Sequence, residues 1–246
     1  MCELLGLSYA KPISPAFALR QFGPRCERNP HGWGLAWYPD RALALVKEPV
    51  KWTDSKLSGF LATYAGLQAP IYVGHLREKS TGGTPTFADT HPFKREWAGR
   101  DYCFAHNGTL HRVTDLPLGR FQPVGQTDSE HAFCHLLEAV ANRGTHLDAE
   151  ADWIWLHGQL SAINALGKLN CLLSDGLRLF AYHDQAGWKG LAHRKALAAP
   201  GRSGFLVSSR PLGTGRWCSF QFGELAVFER GKLLFSHSRV ASCRSC

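Results

Sequence analysis

An α+β fold with mostly antiparallel sheets is predicted by three features of this 246-residue chain. Apolar runs of strand length gather toward both ends, two clear helical patterns lie together near the middle, and no regular strand–helix–strand alternation links them. Taken in order, residues 2–8 are a short apolar run that opens the first strand. Ser14 and Pro15 offer an N-cap and a first-turn proline ahead of Phe17, Leu19 and Phe22, the stripe of a short helix. The runs at 33–38 and 42–46 are separated by Pro39-Asp40 and read as two strands joined by a turn. Asp54 and Ser55 precede Leu57, Phe60, Leu61 and Tyr64 at helical spacing, so a second helix follows. Residues 70–76 make a further strand, and the turn-rich stretch 79–101 reads as a long functional loop.

Within 102–113, Asn107-Gly108 separates two short apolar segments, the strongest local signal for a tight hairpin. Thr127 and Glu130 fit a capping box before Ala132, Phe133, Leu136, Leu137 and Val140, which share one helical face. A second long helix is expected over 152–166 through Leu156, Leu160 and Ile163. Strands at 170–173 and 177–182 flank Asp175-Gly176, and strands at 225–228 and 233–235 flank Arg230-Gly231. No repeat, low-complexity tract or Ser/Pro-rich linker divides the chain, so residues 1–246 are expected to form one domain. Such a domain would bury about 70–75% of its extended surface.

The balance of 28 Lys and Arg against 20 Asp and Glu gives a net charge of +8, which by itself permits a polyanionic partner. The basic residues are mostly scattered singly and form no run of five, so nucleic-acid binding is disfavoured. The longest stretch free of charged residues, 57–76, contains Ser58, Thr63, Gln68, Pro70 and His75 and does not suit a bilayer span. Glu3 stands where a secretory leader needs basic residues, so a cytoplasmic location with reduced thiols is expected. Of the eight cysteines only Cys243 and Cys246 form a C-x-x-C pair, half of what zinc requires, and neither a metal nor a cofactor is expected.

Five residues could carry the chemistry. Removal of Met1 ahead of a small residue would leave Cys2 with a thiol and a free α-amine on one skeleton. That amine, with a reference pKa of about 7.7–8.0, could take the proton of a thiol that titrates near 8.5. Asn107 and Gly108 can offer a side-chain amide N–H and a backbone N–H to an oxyanion, with a positive φ at the glycine orienting its N–H. Arg77 closes an apolar strand where a loop leaves the sheet, a natural place to grip a carboxylate with two parallel N–H bonds. Asp128 falls in the first turn of a helix, where the macrodipole favours its charge. Each of these residues alone has an ordinary structural reading as well.

Five segments together resemble the class II glutamine amidotransferases, members of the N-terminal-nucleophile hydrolase group: MCELLG at 1–6, HGWGLAWY at 31–38, GHLREKS at 74–80 with THPF at 90–93, FAHNGTL at 104–110, and PVGQTDSEHAFCHLL at 123–137. LLSDG at 172–176 and SSRPL at 208–212 extend the likeness, which is greatest to the short stand-alone bacterial type. The resemblance implies a four-layer αββα sandwich in which Cys2 attacks the side-chain amide of glutamine, giving a γ-glutamyl thioester and ammonia. It implies Asn107 and Gly108 as the oxyanion pair, Arg77 for the substrate α-carboxylate with Ser80 as a neighbouring hydroxyl contact, Asp128 for the α-ammonium, and His91 as support for the site loops. One departure stands out, because relatives commonly carry Asp before Gly-Trp-Gly and this chain has His31.

With the whole length assigned to the sandwich, a separate synthase would receive the ammonia. The alternatives are hydrolysis of a γ-glutamyl amide within a larger metabolite, and a non-catalytic basic binding protein.

Overall fold

Alternation along the first strand sets the layers of the molecule, a computed structural model that describes residues 2–79, 84–199 and 201–238. In β1 (Glu3–Ile13), Leu5, Leu7 and Tyr9 pack with Ala18, Leu19 and Phe22 of α1 (Ala16–Phe22) and with Leu61 of α2 (Lys56–Leu61). Leu4, on the opposite face, joins Cys103, Ala105, Leu172 and Leu179 from a second sheet. A two-residue side-chain period thus feeds two cores from one strand.

The remaining strands are β2 (Trp33–Trp37), β3 (Ala44–Glu48), β4 (Ala69–Leu76), β5 (Phe93–Trp97), β6 (Arg100–Leu110), β7 (Gly167–Ser174), β8 (Arg178–Tyr182), β9 (Ala192–Ala199), β10 (Arg202–Ser208), β11 (Cys218–Ser219), β12 (Leu225–Glu229) and β13 (Lys232–His237). The seven-stranded sheet runs β11-β9-β10-β1-β4-β2-β3 and the six-stranded sheet β13-β12-β8-β7-β6-β5. Every pairing in both sheets is antiparallel. The outer face of the six-stranded sheet is covered by α3 (Asp128–Arg143) and α4 (Glu150–Asn164), where Phe133, Leu137, Leu156 and Leu160 meet Phe104, Leu169, Leu173 and Phe180. The result is the expected α+β, αββα sandwich, with the nucleophile candidate at the start of a central strand.

Four local expectations are corrected. Asn107-Gly108 is no turn: both residues lie inside an 11-residue strand, opposite Asn170 and Leu169, and Gly108 has no positive φ. Pairing with β7 along the whole strand outweighs the local turn preference of the dipeptide. The hairpin lies one step earlier, where Ala98 (φ 48°) and Gly99 (φ 78°) join β5 to β6 and Trp97 pairs with Arg100. The stretch expected to be a continuous loop over 79–101 therefore contains a strand. The capping box is only half made: Thr127 Oγ1 accepts the Glu130 N–H at 3.1 Å, but the Glu130 carboxylate turns to Arg95 (2.6 Å) and the Gly125 N–H (2.7 Å).

Strands β9 to β11 had no counterpart in the sequence reading. Cys218 is disulfide-bonded, against the expectation of reduced thiols, and Cys243 and Cys246 lie outside the described residues. Among the described residues no helix is long and apolar enough to cross a membrane.

Candidate active site

The antiparallel register of β1 and β4 sets Glu3 opposite Leu76, so the residues just beyond these partners, Cys2 and Arg77, emerge at the same edge. Cys2 is half-buried there, and its Sγ both receives the Glu78 N–H (3.3 Å) and faces the Glu78 carbonyl (3.4 Å). Burial pushes the thiol up to about 12 against the pull of the nearby Arg77 guanidinium. A thiol raised this far is little ionised at neutral pH, and its use as a nucleophile would call for a base.

The segment after β4 is clamped from the loop that enters β2. The His31 N–H donates to the Arg77 carbonyl (3.0 Å), the Arg77 N–H to the Gly32 carbonyl (2.7 Å), and the Lys79 N–H to His31 Nδ1 (3.0 Å). Partial burial lowers the His31 pKa, and the positive charges of Arg77 and Lys79 lower it further, so the ring is favoured in the neutral form that can accept. Arg77 is itself buried, and its Nη1 meets no hydrogen-bond partner among the described residues. A guanidinium nitrogen buried without a partner is a cost, and the same side chain lines the larger of the cavities beside Cys2.

From the other sheet, β6 brings Asn107 and Gly108 to the same place. Gly108 is required by close approach: a Cβ there would lie 2.0 Å from the Lys168 carbonyl oxygen. The Asn107 side chain makes no hydrogen bond to the described residues, and it pairs across the ladder with Asn170. Next to them, His106 Nε2–H donates to the Lys168 carbonyl (2.9 Å), which leaves Nδ1 to accept from the Ser129 hydroxyl (2.8 Å). Asp128 opens α3; Oδ1 takes the Ser129 N–H (2.8 Å) and Oδ2 the Leu110 N–H (2.6 Å). His91 stacks on His75 with centroids 4.2 Å apart and packs against Phe93 at 4.4 Å. Burial takes His75 down to about 3 and His91 well below its ordinary value, so both rings are neutral.

These side chains surround two cavities that share Cys2. The larger, about 380 Å³, is lined by Arg77, His91, Gly108 and Asp128 among others. The smaller, about 170 Å³, is lined by Glu3, Arg28, Asn107, Lys189 and Arg210 among others. Cys2, Arg77, His91, Asn107, Gly108 and Asp128 are thus brought together, whereas Ser80 lies outside the described residues. Arg28, Lys189 and Arg210 were missed, since isolated basic residues 21 to 182 positions apart carry no local signal of convergence. Among the described residues no group of three or more His, Cys, Asp or Glu side chains is arranged to hold a metal.

The family model for class II glutamine amidotransferases matches residues 1–196. The chain is 35% identical to an uncharacterized protein of Methanocaldococcus jannaschii, over 98% of this chain and 72% of that protein. It is 34% identical to Escherichia coli YafJ, which bears the provisional name of a glutamine amidotransferase, over 74% of this chain and 72% of YafJ. A crystal structure of a predicted glutamine amidotransferase from Pseudomonas aeruginosa superposes with a TM-score of 0.69 at 25% identity, covering 95% of this chain and all of that one. The glutamine phosphoribosylpyrophosphate amidotransferase of B. subtilis shares the fold, with a TM-score of 0.71 at 16% identity over 96% of this chain and 49% of that chain.

Proposed function

Because the chain belongs to the class II glutamine amidotransferases, a family of enzymes, we propose that it hydrolyses the side-chain amide of glutamine through a γ-glutamyl thioester on Cys2. The observation that carries this reading is the larger cavity, which Cys2, the buried Arg77 and Asp128 line together. Glutamine presents an anion, a cation and a neutral amide, and these three groups complement them in turn.

In this reading Met1 is removed and the exposed α-amine of Cys2 accepts the thiol proton, directly or through one water. The raised thiol pKa makes that base necessary. Sγ adds to the amide carbon, the C–N bond breaks, and the proton passes to the departing nitrogen, which leaves as ammonia. The Asn107 side-chain amide and the Gly108 N–H receive the negative charge on oxygen in both this step and the hydrolysis of the thioester by water. Arg77 grips the α-carboxylate with parallel N–H bonds. Asp128 Oδ1 is engaged by both the N–H and the hydroxyl of Ser129, and Oδ2, which serves Leu110, keeps a lone pair that meets the α-ammonium. His91 contributes by stacking, and Ser80 would add a hydroxyl contact. The ammonia would pass to a separate synthase, and residues 1–246 would act as one catalytic domain.

The test is intact-mass measurement after exposure to a diazo-ketone glutamine analogue. A chain lacking methionine and carrying one covalent adduct, lost in Cys2→Ala, is the expected result. A chain that keeps methionine and takes no adduct, while binding nucleic acid in a salt-dependent manner, would replace this reading with that of a basic binding protein.

A further inference from the structure

The smaller cavity opens on the same sulfur from the Asn107 side, away from Arg77 and Asp128, the groups assigned to the α-carboxylate and α-ammonium of glutamine. Its volume of about 170 Å³ leaves room for a small substituent on the departing nitrogen. Three cations, Arg28, Lys189 and Arg210, line it with one carboxylate, Glu3. That carboxylate is already engaged by Arg210 Nε (2.8 Å) and Arg25 Nη1 (3.4 Å). Arg28 and Lys189 make no side-chain hydrogen bond or ion pair among the described residues, so the uncompensated charge of the cavity is positive. A concave surface focuses that potential onto whatever enters.

Lys189 is also held in place by its backbone. Asp184 Oδ1 accepts the Ala186 N–H (2.9 Å) and the Trp188 N–H (3.0 Å), Asn170 Nδ2 donates to the Trp188 carbonyl (2.8 Å), and His183 Nε2 bonds the Lys189 carbonyl (2.8 Å). Lys189 itself has a φ of 58°, a left-handed conformation that side chains seldom adopt and that surrounding contacts must over-determine. Asn170 is the ladder partner of Asn107, so the turn that delivers the ammonium is keyed to the strand pair that carries the oxyanion candidate.

We infer that this cavity is a leaving-group subsite for an amine that bears a carboxylate, which widens the substrate class from glutamine to γ-glutamyl amides of acidic amines. The inference rests on the thioester reading above. The chemistry is unchanged: Sγ bonds to the γ-carbonyl carbon, the C–N bond breaks, the thiol proton goes to the departing nitrogen, and water then releases glutamate and restores the thiol. Only the substituent on nitrogen differs, and its carboxylate sits between Arg28 and Lys189.

The experiment compares kcat/KM of the full chain on γ-glutamylglycine, on γ-glutamylethylamide, whose leaving amine is neutral and of similar size, and on glutamine. The expected result is a preference of about tenfold for γ-glutamylglycine over the ethylamide, the worth of one charge-assisted hydrogen bond. That ratio should fall to near unity in the Arg28→Gln/Lys189→Gln double variant and below unity in Arg28→Glu/Lys189→Glu. Both positions are exposed, and a thermal melt of each variant verifies the fold. Equal rates on the two amides, or a ratio that survives both double variants, overturns the subsite while turnover of glutamine leaves the thioester reading standing. Absence of turnover on all three, with no adduct from the diazo-ketone analogue, overturns both.

Discussion

Asp128 Oδ2 accepts the backbone N–H of Leu110 at 2.6 Å, so the first residue of α3 is tied directly to the strand that carries Asn107 and Gly108. One carboxylate therefore serves two ends, fixing the seam between helix and sheet and offering its remaining lone pair to the larger cavity. Replacing its charge and removing its acceptor are separable changes.

Asp128→Asn keeps an oxygen for Leu110 and loses the charge. With glutamine, KM should rise by about 10–100-fold, the loss of a hydrogen bond to a charged group, with little change in Tm. Asp128→Ala should raise KM similarly and lower Tm as well, because the Leu110 N–H is then left without its partner. Steady-state kinetics beside thermal melts separate the two effects. An unchanged KM in both variants would remove Asp128 from substrate binding.

Asn107 makes no side-chain hydrogen bond to the described residues, so its truncation should disturb chemistry more than folding. Asn107→Ala is expected to lower kcat by about 10²–10³ with KM nearly constant, the usual loss on removing one oxyanion donor. A variant with normal kcat would exclude the side chain from the reaction.

Gly108 answers to a different constraint. A methyl group at this position would lie 2.0 Å from the Lys168 carbonyl oxygen, so Gly108→Ala must push β6 away from β7. Overpacking against backbone typically costs about 1–3 kcal/mol, and Tm and kcat should fall together. Preserved Tm with normal kcat would mean that the strand pair tolerates the opening and that the Gly108 N–H need not be held there.

The fate of Asn107-Gly108 explains what sequence can and cannot deliver in this fold. The dipeptide is the best local hairpin signal in the chain, and it is overruled because β7 supplies a partner for every residue from Cys103 to Leu110. Helix α3 was legible because its apolar spacing and Thr127 cap are local, whereas the second half of its capping box failed when Arg95, 35 residues away, claimed Glu130. The site residues beside Cys2 were legible as motifs, yet Arg28, Lys189 and Arg210 converge only through the packing of the two sheets. The short connection that holds Lys189 in a left-handed conformation depends on Asp184 and Asn170, which no periodicity marks.

His31 brings a dependence on acidity to the edge of the site. Its Nδ1 accepts the Lys79 N–H at 3.0 Å, a bond that only the neutral ring can make. Partial burial, then the charges of Arg77 and Lys79, set its folded pKa below the ordinary value of 6.5. The unfolded chain therefore binds more protons below that value. The stabilisation is fully present above about 6.5 and is lost as pH falls through the folded pKa. Protonation also breaks one of the three hydrogen bonds that clamp the segment from Arg77 to Lys79 beside Cys2, so kcat/KM for glutamine should show an acid limb below the neutral range. His31→Asn keeps an acceptor at the Nδ1 position without titrating, and His31→Asp supplies one that stays ionised until far lower pH. Both should carry activity and Tm further into the acid range than the parent chain. Coincident pH profiles of kcat/KM for the three proteins would show that the His31–Lys79 bond does not govern the site.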